Sequence, residues 1–162
     1  MDVATWIIAI STGIYTIAFI VTVFYIAKQL KENKLLREST VLKEAYDYII
    51  RTHKYRKIIY DNERDIRAVR NTKSLDALSP EVKEAIHEVA NCYHYIGFLM
   101  KYGLLTNKQG FFEEGGDTFL RIYEIIKPVI KQERIKMSRE TYKQYLEYLA
   151  EEMSKYKRKE KD

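Results

Sequence analysis

The sequence predicts an all-α protein in which a single N-terminal transmembrane helix continues into a small bundle of about four to five helices. Three observations lead to this prediction. The 162 residues include only 6 glycines and 2 prolines, and the turns of a sheet protein would need more of both. No charged residue occurs in residues 3–27. Beyond that segment, apolar residues recur at the spacing of helix faces.

The uncharged residues 3–27 are predicted to be a membrane anchor. A helix of this length would extend about 37 Å and cross a hydrocarbon core of about 30 Å with some tilt. Trp6 lies near one end of the segment, and Phe24 and Tyr25 lie near the other, where aromatic side chains favour the membrane interface. A cleaved signal peptide would carry basic residues before a shorter apolar run. Because no Lys or Arg precedes residue 28, we expect the anchor to remain uncleaved.

The charges that flank the anchor predict its orientation. All 28 Lys and Arg residues lie at Lys28 or later, and four of them follow the anchor directly, namely Lys28, Lys31, Lys34 and Arg37. Positive residues favour the cytoplasmic side of a membrane. We therefore expect a single-pass protein of the plasma membrane with its N-terminus outside and its C-terminal domain in the cytoplasm. The four basic residues are expected to contact the membrane surface.

The first soluble helix is predicted to run on from the anchor to about residue 60, because neither glycine nor proline interrupts it. Its apolar stripe comprises Leu35, Leu42, Tyr46, Ile49 and His53. Asp61-Asn62 indicates a break. A short helix over residues 63–70 and a loop over residues 71–79 are expected to follow.

Ser79-Pro80-Glu81 is a strong helix start, because serine caps, proline suits the first position and an acid suits the first turn. We expect this helix to reach Tyr102 and to stop at Gly103. Its second half is apolar almost all round, which predicts the central, most buried helix.

Three further helices are predicted. A short one around residues 108–114 should end at Gly115-Gly116. Asp117 should cap the next, which reaches about residue 137 with Pro128 inside it. Ser138 should cap the last helix, over residues 139–157. The predicted organisation is therefore an anchor (1–27), a cytoplasmic helical bundle (28–154) and a basic C-terminal tail (155–162).

One face of the predicted central helix carries polar side chains at steps of three and four residues. His87, Asn91, His94 and Lys101 share this face, and His53 could add a third imidazole. The pattern suits a ligand or metal site. A packing or subunit interface with hydrogen-bonded histidines accounts for the same pattern and is the favoured interpretation, and the sequence does not decide between them.

Candidate catalytic groups are weak. Glu84-x-x-His87 has di-iron spacing but lacks the second motif that such a site needs. Cys92, the one cysteine, lies in an apolar run, where cysteine behaves as a small buried hydrophobe. Glu113 and Glu114 lie near Asp117, and adjacent acids at a helix end are more often exposed than metal-binding. We therefore expect no catalytic, metal or cofactor residues, and a protein that is not an enzyme.

The positive charge of the soluble part suits an anionic partner. An anchored domain is already near anionic lipid, so lipid contact is favoured over nucleic acid. Our leading hypothesis is a non-catalytic scaffold or interaction module that binds a protein partner or itself at the cytoplasmic face. The alternatives are a ligand-sensing or regulatory domain that uses the His87/Asn91/His94 face, and a metal-dependent enzyme.

The order of features resembles an uncharacterised prokaryotic family, a domain of unknown function in small proteins with one N-terminal transmembrane helix and a helical cytoplasmic domain. The resemblance extends over about half the chain, and the segments that carry it are residues 92–97, 101–105, 125–130 with Arg134, and 145–150. The resemblance implies an anchor and a fold. It brings no activity, so no functional residue carries over.

Overall fold

The computed structural model describes residues 3–72, 74–105 and 108–159. Among these residues the regular structure is α-helical and contains no strand. The helices are α1 (Val3–Arg51), α2 (His53–Asp61), α3 (Glu63–Thr72), α4 (Pro80–Lys101), α5 (Lys108–Met137) and α6 (Gln144–Lys159). The prediction of an all-α fold that begins with a long apolar helix is confirmed.

Helix α1 contains the predicted anchor. From Thr12 onward it is long and apolar enough to cross a membrane, by length and composition, and none of its most apolar stretch is buried. The hydroxyls of Thr16 and Thr22 donate to the carbonyl oxygens of Thr12 and Ala18, each over 2.8 Å. These bonds satisfy the threonine hydroxyls within the helix, so the segment presents few free polar groups.

The chain divides into two compact units, one that reaches Thr40 and one that begins at Val41. Every buried apolar side chain of the described residues belongs to the second unit, beginning with Ala45. Within this unit α4 packs against α2 and α6, and α3 packs against α5. The largest fully buried side chains are Ile59, Ile66, Ile86, Ile96, Met100, Leu105, Phe119, Ile122, Ile125, Ile126, Leu146 and Leu149.

The predicted helix from the anchor to residue 60 is interrupted, which corrects the sequence expectation. Helix α1 ends at Arg51, and α2 begins at His53. The buried Thr52 hydroxyl donates to the carbonyl of Ile49 over 2.8 Å, and the Thr52 amide is shared between the carbonyls of Tyr48 and Ile49. A threonine that bonds back to the preceding turn competes with the regular helical pattern, and here it separates two helices.

The limits predicted for the central helix are confirmed. The Ser79 hydroxyl accepts a hydrogen bond from the amide of Val82 over 3.3 Å, and Pro80 is the first helical residue. The helix ends at Lys101, and Gly103 follows with φ +67°, a left-handed conformation that glycine adopts at little cost. Eleven of the residues of α4 are buried, including Cys92 and Gly97, so α4 is the core helix.

The predicted break at Gly115-Gly116 is wrong, because α5 runs through both glycines as one helix. Asp117 is therefore an interior residue of α5 and caps nothing. Phe111, Phe112 and Phe119 are all buried, and burial of these rings on one helix face outweighs a cost of about 1 kcal/mol for each glycine. Pro128 lies inside α5, as the sequence predicted.

The predicted cap at Ser138 is also wrong. Ser138 has φ +52° and closes α5 instead, because its amide bonds to the carbonyl of Ile135 and the amide of Arg139 bonds to the carbonyl of Arg134. This pair of bonds is the Schellman arrangement of a helix C-terminus. A turn then leads to Lys143, and α6 begins at Gln144, five residues later than expected.

Candidate functional site

The α4 face selected from the sequence lies against the turn that precedes α6. Nδ1 of His87 is 3.3 Å from the hydroxyl oxygen of Tyr142. Oδ1 of Asn91 accepts a hydrogen bond from Nζ of Lys143. Two of the four predicted side chains are therefore held by residues of the same chain.

The other two predicted residues contact tyrosines of α6. The ring centroid of His94 lies 5.1 Å from that of Tyr145. Nζ of Lys101 lies 4.8 Å from the ring centroid of Tyr148, a cation–π contact. All four residues thus face the segment 142–148, and the arrangement is a packing contact between α4 and the N-terminal part of α6.

Aromatic rings surround Tyr145 in this contact. The Phe98 ring lies edge-on at 5.5 Å, and the hydroxyls of Tyr102 and Tyr145 are 3.0 Å apart. Edge-to-face pairs of this kind contribute about 0.5–1.5 kcal/mol beyond area burial. Gly97 has no side chain, which allows the Tyr145 backbone to approach α4 closely. The contact therefore combines a close helix approach with an aromatic cluster.

Two titratable groups in the contact have a lowered pKa. Burial lowers the pKa of His94, and the positive charge of Lys143 lowers it further. Burial also lowers the pKa of Lys143, although the carboxylates of Glu133 and Glu88 oppose this effect. Lys143 has φ +57°, which is uncommon for a residue with a side chain. Its position depends on the surrounding contacts.

Three other candidate residues, Cys92, Glu113 and Asp117, are buried, hydrogen-bonded or ion-paired within the fold. Burial raises the pKa of the Cys92 thiol to about 12, so the thiolate needed for nucleophilic attack is not formed at neutral pH. Glu113 accepts a hydrogen bond from the Tyr156 hydroxyl over 3.0 Å, and Asp117 pairs with Lys157. Each of these side chains is engaged in packing or pairing.

The residues considered for a metal do not converge. Within residues 3–72, 74–105 and 108–159, no three His, Cys, Asp or Glu side chains are placed to hold a metal ion. His53 lies at the start of α2 and is exposed, and His87 on α4 is also exposed. Glu84 is exposed and finds no second Glu-x-x-His pair in the sequence.

A polar groove lies between α3 and α5 in the second unit. It encloses about 750 Å³. Its lining is rich in cations and amides and comprises Arg67, Arg70, Asn71, Glu124, Lys127, Pro128, Lys131 and Gln132. We name these eight residues the α3/α5 groove.

The cations of the α3/α5 groove are only partly neutralised. Nε of Arg67 lies 2.8 Å from Oε1 of Glu63, and Nζ of Lys127 lies 3.4 Å from Oε1 of Glu124. Among the described residues, neither Arg70 nor Lys131 has a carboxylate within 4 Å, and both side chains are exposed. These two cations are available to an anionic partner.

The groove also contains a proline and two side-chain amides. Pro128 has no amide hydrogen, so it cannot donate a helical hydrogen bond. It lines the groove together with the amide side chains of Asn71 and Gln132. The groove can therefore bind carboxylates through its cations and hydrogen-bond donors through its amide oxygens.

Sequence reasoning missed the α3/α5 groove, although part of its signal was present. Arg67 and Arg70 are three residues apart and Lys127 and Lys131 are four apart, and each spacing places two cations on one side of a helix. The sequence does not show that α3 pairs with α5, because the groove-lining residues of the two helices are separated by more than fifty positions.

The four basic residues after the anchor lie on the exposed part of α1. Lys28 and Lys34 are 3.9 Å from Glu32 and Glu38, respectively. Such exposed pairs contribute little stability. The four basic side chains therefore remain largely available to pair with other charged groups.

The described residues define a class of protein, an all-α domain that follows a helix able to span a membrane. The family model described as Domain of unknown function (DUF4760) matches residues 12–153, and the chain belongs to this family. The resemblance to an uncharacterised family is thereby confirmed. No curated protein and no solved structure matches the chain.

Proposed function

We propose that the protein is a membrane-anchored, non-catalytic interaction module that binds a protein partner at the cytoplasmic face of the plasma membrane. The observation that carries this proposal is the α3/α5 groove, an open feature with exposed cations on a domain tied to an apolar helix. A groove of this kind suits recognition of another chain, because its charged groups project into solvent instead of converging on one reacting atom.

The environment of the candidate catalytic groups supports a binding role. The Cys92 thiol remains protonated because burial raises its pKa to about 12. His87 and His94 contact Tyr142 and Tyr145 of the same chain. A site for covalent or acid–base chemistry needs a nucleophile or base with access to a substrate, whereas Cys92 is buried and both histidines contact tyrosines of their own chain.

The orientation of the module rests on the charges beside the anchor. Lys28, Lys31, Lys34 and Arg37 follow the apolar segment, and only Asp2 precedes it among charged side chains. The positive side of a transmembrane helix favours the cytoplasm. The four basic side chains would then lie near anionic lipid head groups, each contributing about 1 kcal/mol of attraction.

Site-specific photo-crosslinking of the full chain in living cells tests the binding role. A photoreactive amino acid replaces Arg70 in the groove, and the matched control carries it at Lys57, an exposed cation on α2 that does not line the groove. We expect a discrete adduct of higher mass from position 70 and none from position 57. An adduct at twice the mass of the chain would identify the partner as a second copy.

Absence of any adduct from position 70 and from position 131, together with a monomeric chain by light scattering in detergent, would refute the binding role. Orientation is tested separately with a C-terminal tag. We expect protease to remove the tag from inverted vesicles only, and removal from right-side-out vesicles would refute the cytoplasmic assignment.

A further inference from the structure

The α3/α5 groove continues along α5 beyond its eight residues. A second depression of about 530 Å³ adjoins it through Lys131 and is lined by Lys131, Arg134, Ile135, Ser138, Arg139 and Glu140. A third, of about 290 Å³, shares Gln132 with the groove and Ile135 with the second depression. Together they form a continuous track from Glu124 to Arg139, which is about 22 Å long at the rise of an α-helix.

The track combines positive charge with one exposed apolar side chain. Ile135 is 71% exposed and is shared by the second and third depressions. Arg70, Lys127 and Lys131 lie on one side of Ile135 along the track, and Arg139 lies on the other. Interfaces commonly combine an apolar anchor with surrounding charged groups, and this track has that composition.

We propose that this track binds an acidic, amphipathic α-helix of a partner protein, and this inference rests on the binding role proposed above. Carboxylates four residues apart on such a helix are spaced by about 6 Å, which is also the spacing of Lys127 and Lys131 along α5. A helix lying beside α5 can therefore place successive carboxylates opposite Lys127 and Lys131, and Arg70 of α3 lines the same groove as a further cation. An apolar residue of the same helix then packs on Ile135.

The length of the track favours a polypeptide over a small anion. A helix of about 15 residues fills a length of about 22 Å, whereas a single phosphate or carboxylate would occupy only one of its cations. A flat anionic lipid surface is disfavoured, because the exposed carboxylate of Glu124 lines the same groove and would repel it.

The lining also disfavours nucleic acid. No aromatic ring lines any of the three depressions, so bases of a single strand would find no side chain on which to stack. Glu124, Glu140 and Asp76 contribute carboxylates that repel a phosphate backbone. A partner helix can instead carry carboxylates where it faces the cations of the track and hydrogen-bond donors where it faces these three acids.

The test uses the full chain in nanodiscs of phosphatidylcholine, whose surface has no net charge. The probe is a fluorescent, alanine-based helical peptide of about 15 residues, with glutamates four residues apart on one face and one leucine beside them. The control peptide has glutamine in place of every glutamate. Fluorescence anisotropy measures both dissociation constants.

We expect the glutamate peptide to bind at least about tenfold more tightly than the glutamine peptide, because only carboxylates can pair with the free cations. Its affinity should fall between about 50 mM and about 200 mM salt, since screening weakens exposed pairs. R70E and K131E should each weaken binding about tenfold, because they replace attraction by repulsion. The matched variant K57E should leave the affinity unchanged.

Folding controls keep the test decisive. Circular dichroism should show equal helicity for R70E, K131E and K57E, since all three side chains are exposed. The neutral variant K131Q should weaken binding less than K131E does, as expected of a charge effect. I135S should weaken the binding of both peptides, because it removes the apolar contact without changing the charge.

Several outcomes would overturn the proposal. Equal affinity for the two peptides, or unchanged affinity in R70E and K131E, would exclude the acidic helix as the occupant. Displacement of the peptide by phosphatidylserine in the nanodisc, or by single-stranded RNA, with loss of that displacement in K131E, would reassign the track to lipid or to nucleic acid. If the peptide fails to bind while position 70 still crosslinks a partner in cells, the acidic class is wrong and the binding role remains.

Discussion

Replacing Gly97 by alanine tests the close approach of α4 and α6. A Cβ built on Gly97 would lie 2.8 Å from the carbonyl carbon of Tyr145, nearer still to its oxygen, and 3.3 Å from Cβ of Leu149. The first two are backbone atoms of α6, so no side-chain rotation can relieve the overlap. Alanine must push the two helices apart.

The size of the effect follows from these distances. Carbon atoms prefer a separation of about 3.5–4.0 Å, so α6 must move by about 1 Å, and a gap of that size forfeits a quarter to half of the dispersion attraction across it. Leu146, Leu149 and Met153 of α6 are fully buried and would lose contacts. Overpacking costs about 1–3 kcal/mol, and alanine's helix propensity returns about 1 kcal/mol. With the lost packing, we expect a net decrease of about 2 kcal/mol in the free energy of unfolding.

Gly115 provides a matched control in α5. A Cβ there would meet nothing within 4 Å. Gly115→Ala therefore keeps the propensity gain without the overlap, and it should raise the free energy of unfolding by about 0.5–1 kcal/mol. The same chemical change thus has opposite signs at the two positions.

Thermal unfolding of the full chain in detergent micelles, followed by the near-UV circular dichroism of the tyrosines, measures both variants. At about 4 °C per kcal/mol for a domain of this size, Gly97→Ala should lower the melting temperature by about 8 °C and Gly115→Ala should raise it by about 3 °C. A Gly97→Ala protein at least as stable as the Gly115→Ala protein would refute the close approach of the helices.

Two further predictions concern His94 of α4 and Arg134 of α5, which both contact the segment 142–148. The lowered pKa of His94 means that folding favours its neutral form, so the stability it confers is present above its ordinary pKa of 6.5 and is lost as the pH falls below that value. Urea unfolding at about pH 7.5 and about pH 5.5 should show this loss in the native chain and a smaller loss in His94→Gln, and equal losses would count against it. Arg134 donates to the Tyr142 carbonyl over 2.7 Å and to Glu147 over 2.8 Å. Arg134→Met should lower the free energy of unfolding by about 2 kcal/mol, because it leaves both acceptors unpaired. Addition of Glu147→Leu should recover part of that loss. A double variant no more stable than Arg134→Met would contradict this explanation.

Local signals explain which parts of the fold the sequence predicted well. Ser79-Pro80 and Gly103 define the ends of α4 through capping and backbone conformation, which act within one turn of helix. The uncharged anchor and the break at Asn62 are equally local, and the Asn62 side chain donates to the carbonyl of Ile58 over 2.9 Å. Each of these features can be inferred from a few adjacent residues.

The errors arose where distant packing overrides a local preference. Gly115-Gly116 would end an isolated helix, but burial of the flanking phenylalanines keeps α5 continuous. Ser138 is a good N-cap by residue type, yet it serves as the C-terminal end of α5 with φ +52°. Thr52 is 1% exposed, and its hydroxyl turns back to the helix carbonyls because no solvent reaches it. Burial in the folded unit decides the outcome at Gly115-Gly116 and at Thr52, whereas at Ser138 the backbone bonds that close α5 decide it.

The candidate site shows the same division between what is local and what is not. Helical spacing placed His87, Asn91 and His94 on one face, but it could not identify the segment that covers this face, because that segment lies about fifty residues further along the chain. Packing of that face against Tyr142 and Tyr145 leaves its polar groups committed to the fold.

The groove follows from a pairing that no local pattern reveals. Arg70 and Lys131 belong to helices that contact each other only in the folded unit. In the sequence, each cation by itself is typical of an ordinary solvated side chain. Their exposure contrasts with the engaged polar groups between α4 and α6. Substitutions in the α4–α6 contact should therefore change stability, whereas substitutions in the groove should change binding with little effect on stability. This difference distinguishes the residues that maintain the fold from those that recognise a partner.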